Sequence, residues 1–208
     1  ILGAGVIVAI AIIYSSTGGG TSVKKPTAAT NQAQQPSQVS VPLFKECLDS
    51  GKNAQKVESQ SQDAVAAGGR GTPYSVIVDK NGKLFAFSGA LPYDQVKLMV
   101  DNALAGKAQS AKSDSDSINM KPVSSDDHIL GSISAPVKIV EFSDLECPFC
   151  KRFHATMQQV VKENNGQVAW VYRHFPLDQL HSKARKEAEA TECATDQGGN
   201  EKFWAYIN

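Results

Sequence analysis

Two cysteines stand two residues apart in Ser143-Asp144-Leu145-Glu146-Cys147-Pro148-Phe149-Cys150-Lys151-Arg152-Phe153, in a chain of 208 residues with four cysteines in all. Such a CxxC pair serves redox chemistry, supplies half of a zinc site, or forms a short structural staple. A structural zinc takes four ligands, and here Cys147 and Cys150 would need His128, His154, His174 or His181, none of which forms a second closely spaced pair. A staple that closes so short a loop removes little unfolded-state entropy. Redox exchange is therefore the favoured reading. In that chemistry Cys147 attacks and Cys150, one helical turn on, resolves the mixed disulfide. A helix beginning at Cys147 would offer free backbone N–H groups and a positive dipole end to a thiolate, with Lys151 and Arg152 adding to the field. Pro148 suits the first helical position, and Phe149 adds no side-chain hydrogen bond between the thiols.

The elements around the pair fit this role. PVKIVEFSD, residues 136–144, is a β-branched strand feeding into the turn, and Phe153, Met157, Val160 and Val161 trace a buried helical stripe beyond it. Residues 167–175 are the next strand and 182–197 a helix with a Gly198-Gly199 stop, while EKFWAYIN opens another helix. Earlier in the chain, Leu43, Phe44, Cys47 and Leu48 share a helical face, and Lys52 to Ala67 reads as a second helix. YSVIVD and KLFAFSG are strands joined by Asn81-Gly82, a tight-hairpin signal, and Pro92 starts a helix with Val96, Met99, Val100 and Ala103 on one side. The expected organisation is a membrane anchor or signal core at 1–14, a polar spacer at 15–41, a globular piece at 42–104, a Ser/Asp/Lys-rich linker at 105–127 and a second globular piece at 128–208. Neither piece is complete alone; together they would make one mixed α/β sheet flanked by helices.

Twenty-one basic residues balance twenty-one acidic ones, so no overall field draws the chain to nucleic acid. ILGAGVIVAIAIIY carries no charge, and the first charged side chain is Lys24. A bilayer span takes about 20 apolar residues, and the absence of an initiator Met points to further residues upstream. The expected role is an uncleaved single-pass anchor in the cell membrane, with a removed signal core or a buried helix as alternatives. The rest of the chain would then lie outside the cytosol.

VKIVEFSDLECPFCKRFH, VYRHFPL, HSKARKEAEATECA, FKECLDSGK and GGRGTPYSVIV together resemble the DsbA-like thiol–disulfide oxidoreductases of thioredoxin fold, in particular the membrane-anchored DsbA/BdbD-type proteins of bacteria. The resemblance implies a thioredoxin-like fold with a partial helical insertion. It makes Cys147 the exposed nucleophile and Cys150 the buried resolving thiol. Thr72-Pro73 would be the cis-proline loop that packs beside the disulfide and pairs with substrate backbone, and Glu141 the buried acid that assists proton transfer at Cys150. From the residues alone, an ordinary trans Pro73 opening a strand would be favoured, and Glu141 could face solvent. The resemblance also places Cys47 and Cys193 in the insertion, where a structural disulfide is one expectation and two buried free thiols the other. It implies no cofactor beyond the redox-active disulfide. Partners would be reduced, unfolded secreted proteins and a membrane or soluble thiol-redox partner for recycling.

One departure stands out: the GTP half precedes the CPFC half, whereas the family runs in the opposite order. A circular permutation is one explanation, because twenty residues spanning 107–126 reach about 65 Å when extended. A half-exchanged dimer or a truncated or misjoined frame are the others. With the site assembled, the expected role is donation of the Cys147–Cys150 disulfide to secreted proteins, with a disulfide reductase or isomerase of the same fold as the alternative; if the halves failed to meet, the chain would be a binding module with an inert CxxC.

Overall fold

The structure, a computed structural model, describes residues 39–107 and 118–208. The expected anchor at 1–14 and most of the spacer fall outside them. Among the described residues no helix is long and apolar enough to cross a membrane.

Eleven elements follow in chain order: α1 Val41–Ser50, α2 Ala54–Ala66, β1 Tyr74–Val78, β2 Leu84–Ser88, α3 Tyr93–Ala105, β3 His128–Leu130, β4 Val137–Ser143, α4 Pro148–Glu163, β5 Val168–His174, α5 Ala184–Thr195 and α6 Gly199–Ile207. The expected helices and strands are all there. The β1–β2 hairpin turns on Asn81-Gly82, as its sequence predicts. Gly82 takes φ 79°, which an L residue adopts at a cost, while Asp79 Oδ1 accepts the Asn81 and Lys83 amides at 2.8 Å each.

One sheet joins the two halves in the order β2-β1-β4-β5-β3. β4 and β5 run parallel, with α4 as their crossover, and the other pairs are antiparallel. The junction of the halves is β1 on β4, where Ser75 pairs with Glu141 and Tyr74 with Phe142. One chain therefore closes the sheet by itself. Side chains alternate across it. On one face Ile77, Ile139 and Trp170 pack with Val96 and Val100 of α3, Phe153 and Met157 of α4, and Phe203 and Trp204 of α6. On the other, Val76, Val140, Phe142 and Val171 pack with Ala64 of α2 and with Phe175.

Three sequence expectations need correcting. Residues 118–127 are no free linker: Ile118, Met120 and Val123 pack on the second face, and Arg173 grips the segment. Its guanidinium donates to Asp127 through Nε and Nη2 at 2.7 and 2.8 Å and to the Lys121 and Pro122 carbonyls at 3.0 and 3.1 Å. Asp63 of α2 accepts from Arg173 Nη1 at 2.6 Å. Second, this strap delivers an edge strand, β3, whose three residues are too few to display a period. Third, Leu43 lies outward on α1, 57% exposed, because the helix meets the rest through Cys47.

Cys47 and Cys193 form a disulfide that ties α1 of the first half to α5 of the second, 146 residues apart.

Candidate functional site

Cys147 is the residue that caps α4, with Pro148 at the first helical position. Its amide donates to the Asp144 carbonyl at 3.1 Å, and its own carbonyl accepts the Lys151 amide, so the cysteine turn is held from both sides. Asp144, buried, fixes that turn to the rest of the second half. Its carboxylate accepts the Glu146 and Leu177 amides at 2.8 Å each and His181 Nδ1–H at 2.9 Å. Glu146 in turn accepts the Lys183 amide at 2.6 Å. The redox loop is thus clamped to the segment between β5 and α5.

The first half reaches the same point. Thr72-Pro73 is cis, and Cys147 Sγ–H lies 3.5 Å from the Thr72 carbonyl oxygen, to which it donates. The backbone arrives there because Gly69 packs with no room for a side chain: a Cβ would stand 2.9 Å from the Ala64 carbonyl and 3.2 Å from Tyr74. Tyr74 itself donates its hydroxyl to the Ala67 carbonyl at 2.7 Å. Thr72, Pro73, Cys147 and Cys150 are therefore assembled, although the halves occur in the reverse of the expected order.

Cys147 differs from expectation in one respect. It is 4% exposed, as is Cys150, so neither thiol lies open. The close Thr72 backbone accounts for part of that cover. Pro148 and Phe149 are the residues of the turn that meet solvent, Phe149 being 54% exposed with the Arg152 guanidinium 5.2 Å from its ring centre.

Glu141 lies under the pair, on the sheet face that carries α4, and is 1% exposed. Burial raises its pKa to about 7, against which the neighbouring Ser143 and Trp170 side chains pull downward. Burial also pushes the Cys150 thiol up to about 12; Ser143, the Asp144 backbone and Thr72 favour its thiolate, and the charge of Glu141 opposes it. Glu141 thus faces inward, the alternative that alternation along the strand left open.

A second polar cluster was not anticipated. His128 of β3, His174 of β5 and Glu192 of α5 are buried, and Glu192 Oε1 accepts both Nε2–H groups at 2.6 and 3.1 Å. Burial alone would raise Glu192, yet the two histidine hydrogen bonds and charges hold it well below the ordinary carboxylate range. Burial lowers His128. Their donor atoms lie within 4.8 Å of one another, as a metal would require. However, Lys56 Nζ already sits 2.7 Å from Glu192 Oε2 and 3.4 Å from His128 Nε2, so a cation is built into the site. The cluster reads as an ion-pair network joining α2 to the sheet. Among the described residues the other triple of ligating side chains is Cys47, Cys193 and Asp196, whose thiols are bonded to each other. Neither group contains Cys147 or Cys150. His154 packs edge-on to Trp170 at 4.8 Å, and Trp170, Tyr172 and Trp204 are core aromatics.

Residues 124–208 match a family model described as Thioredoxin. This match covers the second half of the chain, including β4, the cysteine turn and α4, and makes that half similar to thioredoxin-fold proteins. Among curated relatives, a Na(+)/H(+) antiporter NhaA 1 of Mycolicibacterium vanbaalenii is 41% identical over 86 residues, 41% of this chain and 14% of that protein. A Na(+)/H(+) antiporter NhaA 3 of Salinispora tropica is 40% identical over 86 residues, 41% of this chain and 13% of that one. A probable disulfide bond formation protein D of Bacillus anthracis is 32% identical over 82 residues, 38% of this chain and 36% of the relative. The crystal structure of Pseudomonas aeruginosa DsbA2 aligns at 39% identity over 39% of this chain and 44% of its own, with a TM-score of 0.37. The chain thus spans under half of each relative.

Proposed function

We propose that the chain catalyses thiol–disulfide exchange outside the cytosol and passes a Cys147–Cys150 disulfide to reduced, unfolded secreted proteins through a mixed disulfide on Cys147. The observation that carries this reading is the approach of Cys147 Sγ to the Thr72 carbonyl at 3.5 Å. It sets the thiol at the start of α4 against the Thr72-Pro73 backbone that leads into β1, on which a substrate chain would lie. Phe149 offers an apolar contact beside it. Cys150, one turn deeper, is the resolving thiol, and Glu141 beneath it is the acid that exchanges a proton with it. No cofactor beyond the disulfide enters the chemistry.

The Cys47–Cys193 disulfide supports an oxidising compartment, and the apolar run at 1–14 supports a membrane tether facing that side. A membrane or soluble thiol-redox protein would reoxidise the pair. The order of the halves is proposed as a circular permutation, with 105–127 as the joining segment.

Refolding of a reduced, disulfide-containing secreted protein by stoichiometric oxidised chain tests the proposal. Regain of activity that is lost in Cys147→Ser supports donation. A reduction potential as low as thioredoxin's, near −270 mV against glutathione, would turn the assignment to the reductase of the same fold.

A further inference from the structure

The proposed exchange needs one proton delivered to a buried sulfur, and on that reading the surroundings of Cys150 gain a purpose. A cavity of about 350 Å³ opens beside Cys150, lined by Ser143, Cys150 and Tyr172, with Asp144, Lys151 and His154 among its charged or titratable walls. It lies on the side of the pair that the α6 end, Ile207 and Asn208, also borders. Five buried polar atoms in this region have no hydrogen-bond partner: Glu141 Oε2, the Tyr172 hydroxyl, Trp170 Nε1, Ser75 Oγ and Thr72 Oγ1. Such groups are rare in folded proteins and each calls for a cause. Their placement follows from the register. Glu141 and Tyr172 are direct partners across β4 and β5, and Ser143, two residues beyond Glu141, shares its face. Glu141 itself is absent from the cavity wall, whereas both hydroxyl residues beside it are present.

We propose that Ser143 and Tyr172 are positioning residues that pass a proton between the sealed Glu141 carboxyl and the cavity beside Cys150. A substrate thiolate attacks Cys147 Sγ and forms the mixed disulfide, while the Cys147–Cys150 bond breaks and Cys150 leaves with the electron pair as a thiolate. The Glu141 carboxylic acid gives its proton to Cys150 Sγ and becomes a carboxylate. Water in the cavity then restores that proton through the two hydroxyls, so one proton enters from solvent for each disulfide opened. Reoxidation by a disulfide of the recycling partner runs the same path outward.

The acidities suit the direction, since burial holds Glu141 protonated to about 7 and Cys150 to about 12. The titratable groups that face Glu141 are Cys150 from α4 and Tyr172 from β5; β1 presents Ser75. Burial, first, and then the Glu141 charge keep Tyr172 neutral, so it stays a donor throughout.

Exchange with a reduced dicysteine peptide, followed by stopped flow from pH 5 to 9, tests the relay in Ser143→Ala and Tyr172→Phe. Each variant should slow exchange about tenfold or more, with general acid–base catalysis typically contributing 10²–10⁴-fold. The dependence on pH near 7 should flatten, formate should restore the rate by entering the cavity, and the equilibrium with glutathione should stay unchanged. Tyr172→Phe removes a hydroxyl that has no partner, so its melting temperature should hold. Wild-type rates and pH profiles in both variants would overturn the relay while leaving the exchange activity standing, as would slowing that formate does not relieve. A wild-type chain with no Cys147-dependent exchange would instead overturn the functional reading, and the relay with it.

Discussion

Replacing Glu141 by Gln should make the protein's stability depend less on pH, in a defined window and with a defined sign. In the folded chain Glu141 is neutral up to about 7, whereas in the unfolded chain it ionises near its ordinary 4.5. Between these values the native state binds a proton that the unfolded state has lost, so stability falls as pH rises from 4.5 to 7 and levels off above. The gap is about 2.5 pH units, and at about 1.4 kcal/mol per unit the full loss amounts to roughly 3.5 kcal/mol, of which about 3 falls between pH 4.5 and 8. The carboxyl is 1% exposed, so solvent screens little of this. Gln cannot ionise. Its amide would face the unpartnered position of Oε2 at a constant cost of about 1–3 kcal/mol, which shifts the curve without tilting it. The assay is urea unfolding of wild type and Glu141→Gln at pH 4.5, 6 and 8, both in a Cys147→Ser background so that the redox state of the pair cannot vary. The difference between the two proteins should move by about 3 kcal/mol in favour of Gln from pH 4.5 to 8. Parallel curves would refute the claim that Glu141 is buried and neutral.

Removing the Cys47–Cys193 disulfide by a double Ala substitution should cost about 3–5 kcal/mol, since it closes a long loop between the halves; unchanged thermal unfolding would mean that α1 and α5 hold without it. Arg173→Ala leaves Asp63 and Asp127 buried without their cation and should cost about 3–5 kcal/mol. It should also raise amide exchange across 118–127, and wild-type protection there would refute the clamp. Glu192→Gln should flatten the acid limb. Its lowered pKa contributes stability above 4.5 that is lost as pH falls, and His128, whose pKa burial also lowers, adds loss below about 6.5. An acid limb identical to wild type would show that the cluster carries no charge.

Much of this was legible in the chain. The Asn81-Gly82 hairpin, the strand leading into CPFC and the helical stripe of Phe153, Met157 and Val160 are local signals, with period and turn chemistry in agreement. Thr72-Pro73 and Glu141 were reached through resemblance, because their value depends on neighbours some 70 residues away. What escaped was long-range. The row Ser75, Glu141, Tyr172, His128 forms only when four strands from both halves take their register. The strap 118–127 offers three spaced apolar residues among polar ones, and its order comes from Arg173, which as a lone basic residue in a β-branched strand gives no sign of its partners. Burial of Cys147 depends likewise on the Thr72 backbone brought from the other half. Ser143 and Asp144 carried a weaker signal. Ser143 shares the face of Glu141 by simple alternation, a clue available from the strand alone.

The central claim is that Cys147 and Cys150, and not Cys47 and Cys193, are the pair that exchanges. Fully oxidised chain mixed with a reduced, unfolded secreted protein, quenched by alkylation and mapped by mass spectrometry, measures it directly. The account predicts label on Cys147 and Cys150 in step with disulfide appearing in the substrate, while Cys47 and Cys193 stay bonded. Label on Cys47 and Cys193, or none on any cysteine while the substrate stays reduced, would contradict it.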